Sequence, residues 1–388
     1  MIGCVPDDRR CIVVGAGLLG LSSAWALSRR GWSVVVLEAA GAPGHERSGS
    51  KGDARIFRLG YPEPHYAEMA VLARARWRDL EAATGRPLLH VTGQVTLGDE
   101  ATLHAIADAL AAAGAPVEQL SATAAAQRFP GIVAAGPVLV EPESGVLAAD
   151  ACLRAFQQAG SFEVRTGSVV TSLRQSPGSA TVDTADGSSM QADIIVDCAG
   201  PASLGLLDLA PPAATAPSLP PVAYFATRRH GDVLLPPVFI EWGDAMVYGL
   251  PVPDGGPHAG AYKVSCHTPG SALEAFDPTD PAPLAGDDPA LLAQLTAAVG
   301  RLLPSLAPQP VATERCVYDN SPDTDFVLDR VGRVVVGCGT SGHGFKFGPL
   351  LGELLADLAE GRRPAVDLDR FSLHRSLSPA DGSPAAPR

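Results

Sequence analysis

Lysine is nearly missing from this chain of 388 residues: of its 29 basic residues only Lys51, Lys263 and Lys346 are lysines. Surface positive charge is thus left to arginine, and the three ammonium groups are candidates for places that need a compact, pKa-tunable cation. Basic residues are also outnumbered, 29 against 42 acidic ones for a net charge of −13. No basic stripe is visible, which argues against a nucleic-acid partner. The seven cysteines, at positions 4, 11, 152, 198, 266, 316 and 338, are odd in number and widely spaced. That excludes a disulfide framework and points to a reducing, cytoplasmic setting. No uncharged apolar stretch reaches 18 residues, so no membrane-spanning helix is expected. The nine histidines lack Cys or His partners at ligand spacing, so no metal site is expected.

What the chain does have is ordinary globular material, 46% hydrophobic and 18% charged residues, which excludes disorder, collagen and coiled coil as descriptions of the whole. Its length allows two or three domains, and 41 Gly and 35 Pro make it rich in turns. Arg9 and Arg10 precede an apolar run ending in Ala24-Trp25-Ala26, the outline of a secretory signal. The same run carries Gly15, Gly17 and Gly20, which a disposable signal has no reason to carry. Residues 11 to 38 read instead as strand, glycine turn, amphipathic helix and second strand ending in Glu38, 23 residues after Gly15. In such a βαβ unit the glycines admit a pyrophosphate close to the backbone, the helix N-terminus offers free N–H groups, and the acid meets ribose hydroxyls.

Apolar strands over Ala192–Cys198 and Val331–Gly337, each followed by a glycine turn, can join the first sheet. Helices are predicted near 65–83, 100–113, 149–159 and 349–359. Short apolar runs broken by Pro and Gly, such as 237–242 and 245–250, suggest an antiparallel sheet. The expected fold is therefore α/β with an α+β substrate domain. A Rossmann-type domain is built from 1–85, 147–205 and 325–375, and a mainly antiparallel substrate domain from 86–146 and 206–324. The tail 376–388, polar and rich in Pro, is expected to be disordered.

Three further motifs are more specific: Gly49-Ser50-Lys51-Gly52-Asp53-Ala54-Arg55-Ile56-Phe57-Arg58, Arg315-Cys316-Val317-Tyr318, and Gly342-His343-Gly344-Phe345-Lys346-Phe347. In this order they resemble the D-amino-acid-oxidase-like flavoproteins, within them the monomeric sarcosine oxidase, N-methyltryptophan oxidase and pipecolate oxidase branch, over roughly residues 10 to 375. The resemblance implies FAD, held by Gly15, Gly17, Gly20, Glu38, Ser50, Lys51, Arg55, Gly342, Gly344 and Lys346. It also implies a thioether from Cys316 to the flavin, with Arg315 favouring the thiolate; on its residues alone Cys316 reads rather as a buried apolar cysteine.

Arg58 and Lys346 match the pair that grips a substrate carboxylate, with Arg55 adding positive potential at the flavin face; two arginines three apart can also be a solvated pair. Asp53 is expected to orient an arginine. Lys263 matches the lysine that activates oxygen, although a lysine alternating with apolar residues also suits a solvent-facing strand position. His267 and Tyr248 match the lining of the amine pocket, and His267, four residues after Lys263, falls on the same face of a regular strand; a structural histidine is the other reading. Tyr318 is expected to pack on flavin or substrate, and His343 to matter through its backbone. Lys51 departs from the branch, which tends to carry His there.

The implied reaction is oxidation of the C–N bond of a secondary or tertiary (N-methyl or cyclic) α-amino acid to an imine, with O2 reduced to H2O2, by a monomer. A dehydrogenase with another electron acceptor, and an oxidase tailoring a specialised cyclic imino acid, fit the same motifs.

Overall fold

A computed structural model describes residues 9–377 except 208–210, 212–213, 229–234, 244, 269, 281, 283 and 285–287. Most of the tail expected to be disordered, 378–388, lies outside the described residues.

The first sheet grows outward from the βαβ unit. Strand Arg10–Val14 pairs in parallel with Ser33–Leu37 on one side and Ile194–Asp197 on the other. Glu163–Arg165 and Val334–Cys338 extend it in parallel, and Val327–Val331 closes one edge antiparallel. Strands buried on both faces read as continuous apolar runs, and Val334, Val335 and Val336 are fully buried. One face is covered by helices Leu18–Arg29, Pro64–Thr84, Ala149–Ala159 and Gly348–Glu360 through Trp25, Trp77 and Phe156. The first and last of these cross closely because Gly352 has no Cβ; one there would come within 2.4 Å of the Ser22 backbone. The other face is covered by a meander of Val170–Gln175, Ala180–Thr184 and Ser189–Ala192.

That meander corrects the strand expected over 192–198. The chain breaks at Asp193, whose carboxylate accepts from Arg10 N at 2.8 Å while its own N–H donates to Arg10 O at 2.9 Å. Ser189–Ala192 thus belongs to the meander and Ile194–Asp197 to the parallel sheet.

The second sheet has eight strands in the order Leu306–Arg315, Pro221–Thr227, Tyr262–Cys266, Val247–Pro251, Val238–Glu241, Gln94–Leu97, Val138–Glu141 and Glu118–Leu120. All its pairs are antiparallel but one, Val238–Glu241 beside Gln94–Leu97, where two distant stretches of chain meet. The period of two divides its side chains. Phe225, Phe239, Tyr262 and Val264 face helix Pro289–Leu302, which the sequence did not announce. Tyr224, Ile240, Tyr248 and Leu250 face the other way, with Cys316 and Tyr318. A small antiparallel sheet of Ala54–Phe57, Gly145–Ala148 and Leu89–His90 joins the two large ones.

Candidate active site

A long cleft runs from Glu38 at one end to Cys316 and Tyr318 at the other. Its first half is the glycine turn. Gly15 sits at φ +90°, and a Cβ there would lie 2.5 Å from Cys198 O; a Cβ on Gly20 would lie 1.8 Å from Gly15 O. Gly17, which caps the helix without a side chain, leaves that end open except for Leu18 N, which donates to Ser50 Oγ at 2.9 Å. Glu38 is buried, and its carboxylate accepts from Ala16 N at 2.7 Å and Ala40 N at 2.9 Å, fixing it beside the turn. A bare helix N-terminus, a turn without side chains and an oriented acid form a cradle that fits the diphosphate and ribose of a dinucleotide.

At the far end Cys316 follows strand Leu306–Arg315 and lines the cleft as a buried free thiol. Arg315 donates to Leu219 O at 2.9 Å. Ala54 O accepts from two cations, Lys263 Nζ and Arg55 Nη1, each at 3.0 Å. Arg55 also donates to Gly49 O and Lys51 O, and so locks the loop that carries the Gly-Ser-Lys motif. Strand alternation turns Tyr262 and Val264 to the helix and brings Lys263 and, past the strand end, His267 to the cleft. Burial, reinforced by the positive charge of Arg55, brings Lys263 down to about 8.

Arg58 is fully buried and lies behind the cleft wall. Its guanidinium sits 3.9 Å over the Tyr61 ring, Nη1 donates to Gly60 O at 3.2 Å, and Nε and Nη2 have no partner. Lys346, which does line the cleft, donates to Tyr61 Oη at 2.9 Å and His343 O at 2.6 Å. Burial first and Arg58 second hold it well below the ordinary lysine range. The Tyr248 and Tyr318 hydroxyls meet at 3.2 Å, and the His267 ring centre is 5.1 Å from that of Tyr248. Burial, then Arg58, holds His267 well below its usual range, so its ring is neutral, with Nδ1 unpartnered. Gly342, at φ +74°, leaves room for Tyr318, whose ring a Cβ would approach to 2.1 Å; a Cβ on Gly344 would meet Thr340 at 2.5 Å.

Three expectations need correction. Among the described residues Asp53 holds no arginine; its Oδ2 accepts from His258 N at 3.0 Å and faces His258 Nδ1 at 3.1 Å, closing the 252–261 loop over the strand start. Lys51 is not in the cleft wall, since its ammonium pairs with Glu46 and only its carbonyl serves Arg55. The His343 ring is no bystander: both nitrogens are engaged, Nδ1 with Tyr61 Oη at 3.2 Å and Nε2 with Thr324 O at 3.0 Å, among Tyr66, Phe326 and Phe347.

Tyr61 and Glu141 carry no sequence signal and were missed. Glu141 is fully buried and accepts from Leu59 N, Gly60 N, Ser144 Oγ, Gln94 Nε2 and Thr96 Oγ1, fixing the turn after Arg58. It lies more than eighty residues from that turn, so no local pattern points to it.

Comparison with known proteins places the chain in a family. The family model described as FAD dependent oxidoreductase matches residues 10–358. The human peroxisomal sarcosine oxidase is 33% identical over 384 residues, covering 94% of this chain and 95% of that one. The N-methyl-L-tryptophan oxidase of Salmonella heidelberg is 29% identical, covering 94% and 98%. Among solved structures, NikD, an amino acid oxidase of nikkomycin biosynthesis, superposes with a TM-score of 0.79 at 25% identity, covering 95% of this chain and 99% of that one. With a cradle that fits the cofactor and a match along most of its length, the chain belongs to the FAD dependent oxidoreductase family.

Proposed function

We propose that the protein oxidises the C–N bond of a secondary or tertiary α-amino acid, with O2 as electron acceptor. For a secondary amine the balance is HC–NHR plus O2 giving C=NR plus H2O2, two electrons and two protons passing from substrate to oxygen. The observation that carries this reading is the donor set at Arg58 and Lys346: two buried cations, neither paired with a carboxylate among the described residues, with Arg58 Nε and Nη2 unmet. Buried cations are costly unless an anion joins them, and an α-carboxylate offers oxygens for that fork. The names of the relatives, sarcosine oxidase and N-methyl-L-tryptophan oxidase, point to the same substrate class.

FAD, when bound, takes up the two electrons. Gly15, Gly17, Gly20, Glu38 and Ser50 would hold its dinucleotide half, with Arg55, Gly342 and Gly344 at its ring and Cys316 as the site of covalent attachment. The chain's own residues do the rest. Lys346, in the cleft wall, anchors the carboxylate and so fixes the α-carbon, while Arg58 behind it adds positive potential. The cationic surroundings lower the substrate amine pKa, favouring the free base. Neutral His267 offers Nδ1 to the amine end beside the Tyr248–Tyr318 pair. Lys263 supplies a fixed positive charge where oxygen gains electrons. The same proposal makes the protein a cytoplasmic monomer; the six described cysteines are all free.

The test is anaerobic mixing of the yellow holoenzyme with sarcosine, N-methyltryptophan, L-proline and L-pipecolate. Bleaching by at least one supports the proposal. No bleaching by any of them, nor by a wider set of N-substituted α-amino acids, contradicts it.

A further inference from the structure

We infer that Tyr61 and His343 are positioning residues that set the direction of the Lys346 ammonium, through a one-way hydrogen-bond chain from Lys346 Nζ to Tyr61 Oη to His343 Nδ1, anchored at the Thr324 carbonyl. The inference rests on the proposed carboxylate grip and adds to it what holds that grip in place.

The direction of the chain follows from its far end. Thr324 O lies 3.0 Å from His343 Nε2 and a carbonyl can only accept, so Nε2 carries the proton. Burial, and then the charge of Lys346, holds His343 well below its usual range, so the ring is neutral and Nδ1 is bare. Tyr61, 3.2 Å from Nδ1, must therefore donate its only proton to His343. That leaves the Tyr61 oxygen lone pairs facing Lys346 Nζ at 2.9 Å as an acceptor. Were the phenol free to rotate, its O–H could point at the ammonium and oppose it.

The carbonyl of His343 takes a second Lys346 proton at 2.6 Å. A carboxylate in the cleft would hold Lys346 as an ammonium, which has three N–H groups; two are already assigned, and the third is left for the cleft that Lys346 lines. The same Tyr61 ring bears the Arg58 guanidinium on its face at 3.9 Å. One tyrosine thus orients both cations, one by its hydroxyl and one by its ring.

The anchor itself is strained. Thr324 is a β-branched residue at φ +64°, and Ser341, two residues before His343, sits at φ +47°. Such conformations persist only where the surroundings over-determine them, and they cluster at functional sites. Here they hold the carbonyl and the ring at bonding distance. The charged and titratable groups around Lys346 are Arg58, His343, His267 and Tyr61; burial pushes the phenol of Tyr61 up to about 12, so it stays protonated.

The test uses holoenzyme and two unreactive probes of one shape, cyclopentanecarboxylate and uncharged cyclopentanemethanol. Their dissociation constants are read from the flavin spectrum across pH. Hydrogen bonds to charged groups are worth enough to expect Tyr61→Phe and His343→Leu each to weaken the carboxylate about 10-fold to 100-fold. The alcohol should bind as before. His343→Asn, whose Oδ1 can accept from Tyr61, should recover most of the loss. The loss of carboxylate binding at alkaline pH should move to lower pH in Tyr61→Phe, because the ammonium has lost an acceptor; mere loosening of the fold would not move it. Carboxylate affinity and alkaline limb both equal to wild type in Tyr61→Phe and His343→Leu overturn the chain and leave the two-cation grip standing. A wild-type protein that does not prefer the carboxylate to the alcohol overturns both.

Discussion

At the scale of single residues, the scarcity of lysine was the most informative compositional signal, and it was informative for two lysines out of three. Lys263 and Lys346 are buried in the cleft wall with backbone carbonyls as their partners. Lys51 has a carboxylate of its own in Glu46 and does not reach the cleft. The difference lies in partners that a linear sequence does not display. If Lys263 supplies the charge that favours oxygen reduction, Lys263→Met should slow reoxidation of the reduced holoenzyme by about 100-fold or more, judged by the worth of a preorganised donor. Because Lys263 sits at about 8, the wild-type oxygen rate should fall as pH rises through that value, and the variant should lose this dependence. Stopped-flow mixing with oxygenated buffer measures both. Cys316→Ala should free the yellow colour from an acid-precipitated pellet that keeps it in the wild type; an equally colourless wild-type pellet would remove the thioether.

At the scale of elements, periodicity served well wherever an element packs by one rule. The helices expected near 65–83, 100–113, 149–159 and 349–359 are found at Pro64–Thr84, Glu100–Ala112, Ala149–Ala159 and Gly348–Glu360. Alternation along Tyr262–Cys266 correctly put Lys263 and His267 on one side. The break at Asp193 was illegible because it depends on a pair of hydrogen bonds to Arg10, more than 180 residues earlier. Helix Pro289–Leu302 was hidden by the Pro-rich and Gly-rich stretch before it.

The strand end Ile194–Asp197 carries a testable consequence. Burial raises the Asp197 carboxyl to about 7, with Oδ1 accepting from Ala199 N and Oδ2 unpartnered. In the unfolded chain an aspartate ionises near about 3.9. Between these values the folded state holds the extra proton, so this group lowers stability as pH rises from about 4 to about 7. Asp197→Asn, neutral at every pH, should flatten that slope in urea unfolding of the holoenzyme at pH 5 and pH 8. An unchanged slope would show that Asp197 is not the source.

At the scale of the whole molecule, two sheets of different kinds meet along the cleft, and that meeting explains what one sequence could and could not show. The parallel sheet announces itself by a glycine turn and apolar runs because its chemistry is made by backbone and dipole. The proposed substrate side draws on Arg58, Tyr61, Lys263, His267 and Lys346, residues scattered over nearly 290 positions. Motif resemblance marked four of the five; the place of Tyr61 emerged only with its neighbours in three dimensions. The eight-stranded sheet turns one face to helix Pro289–Leu302 and the other to the cofactor side, so the same strands provide stability and site.

The most direct test of the central claim is peroxide release by purified holoenzyme offered sarcosine, N-methyltryptophan, L-proline and L-pipecolate in parallel, each beside its Arg58→Met and Lys346→Met variants. Stoichiometric peroxide and imine are expected from at least one substrate, with kcat/KM reduced about 100-fold or more in either variant, as for loss of a charge-assisted interaction with the carboxylate. Turnover that proceeds equally well without either cation, or a flavin that none of the amino acids reduces, would contradict it.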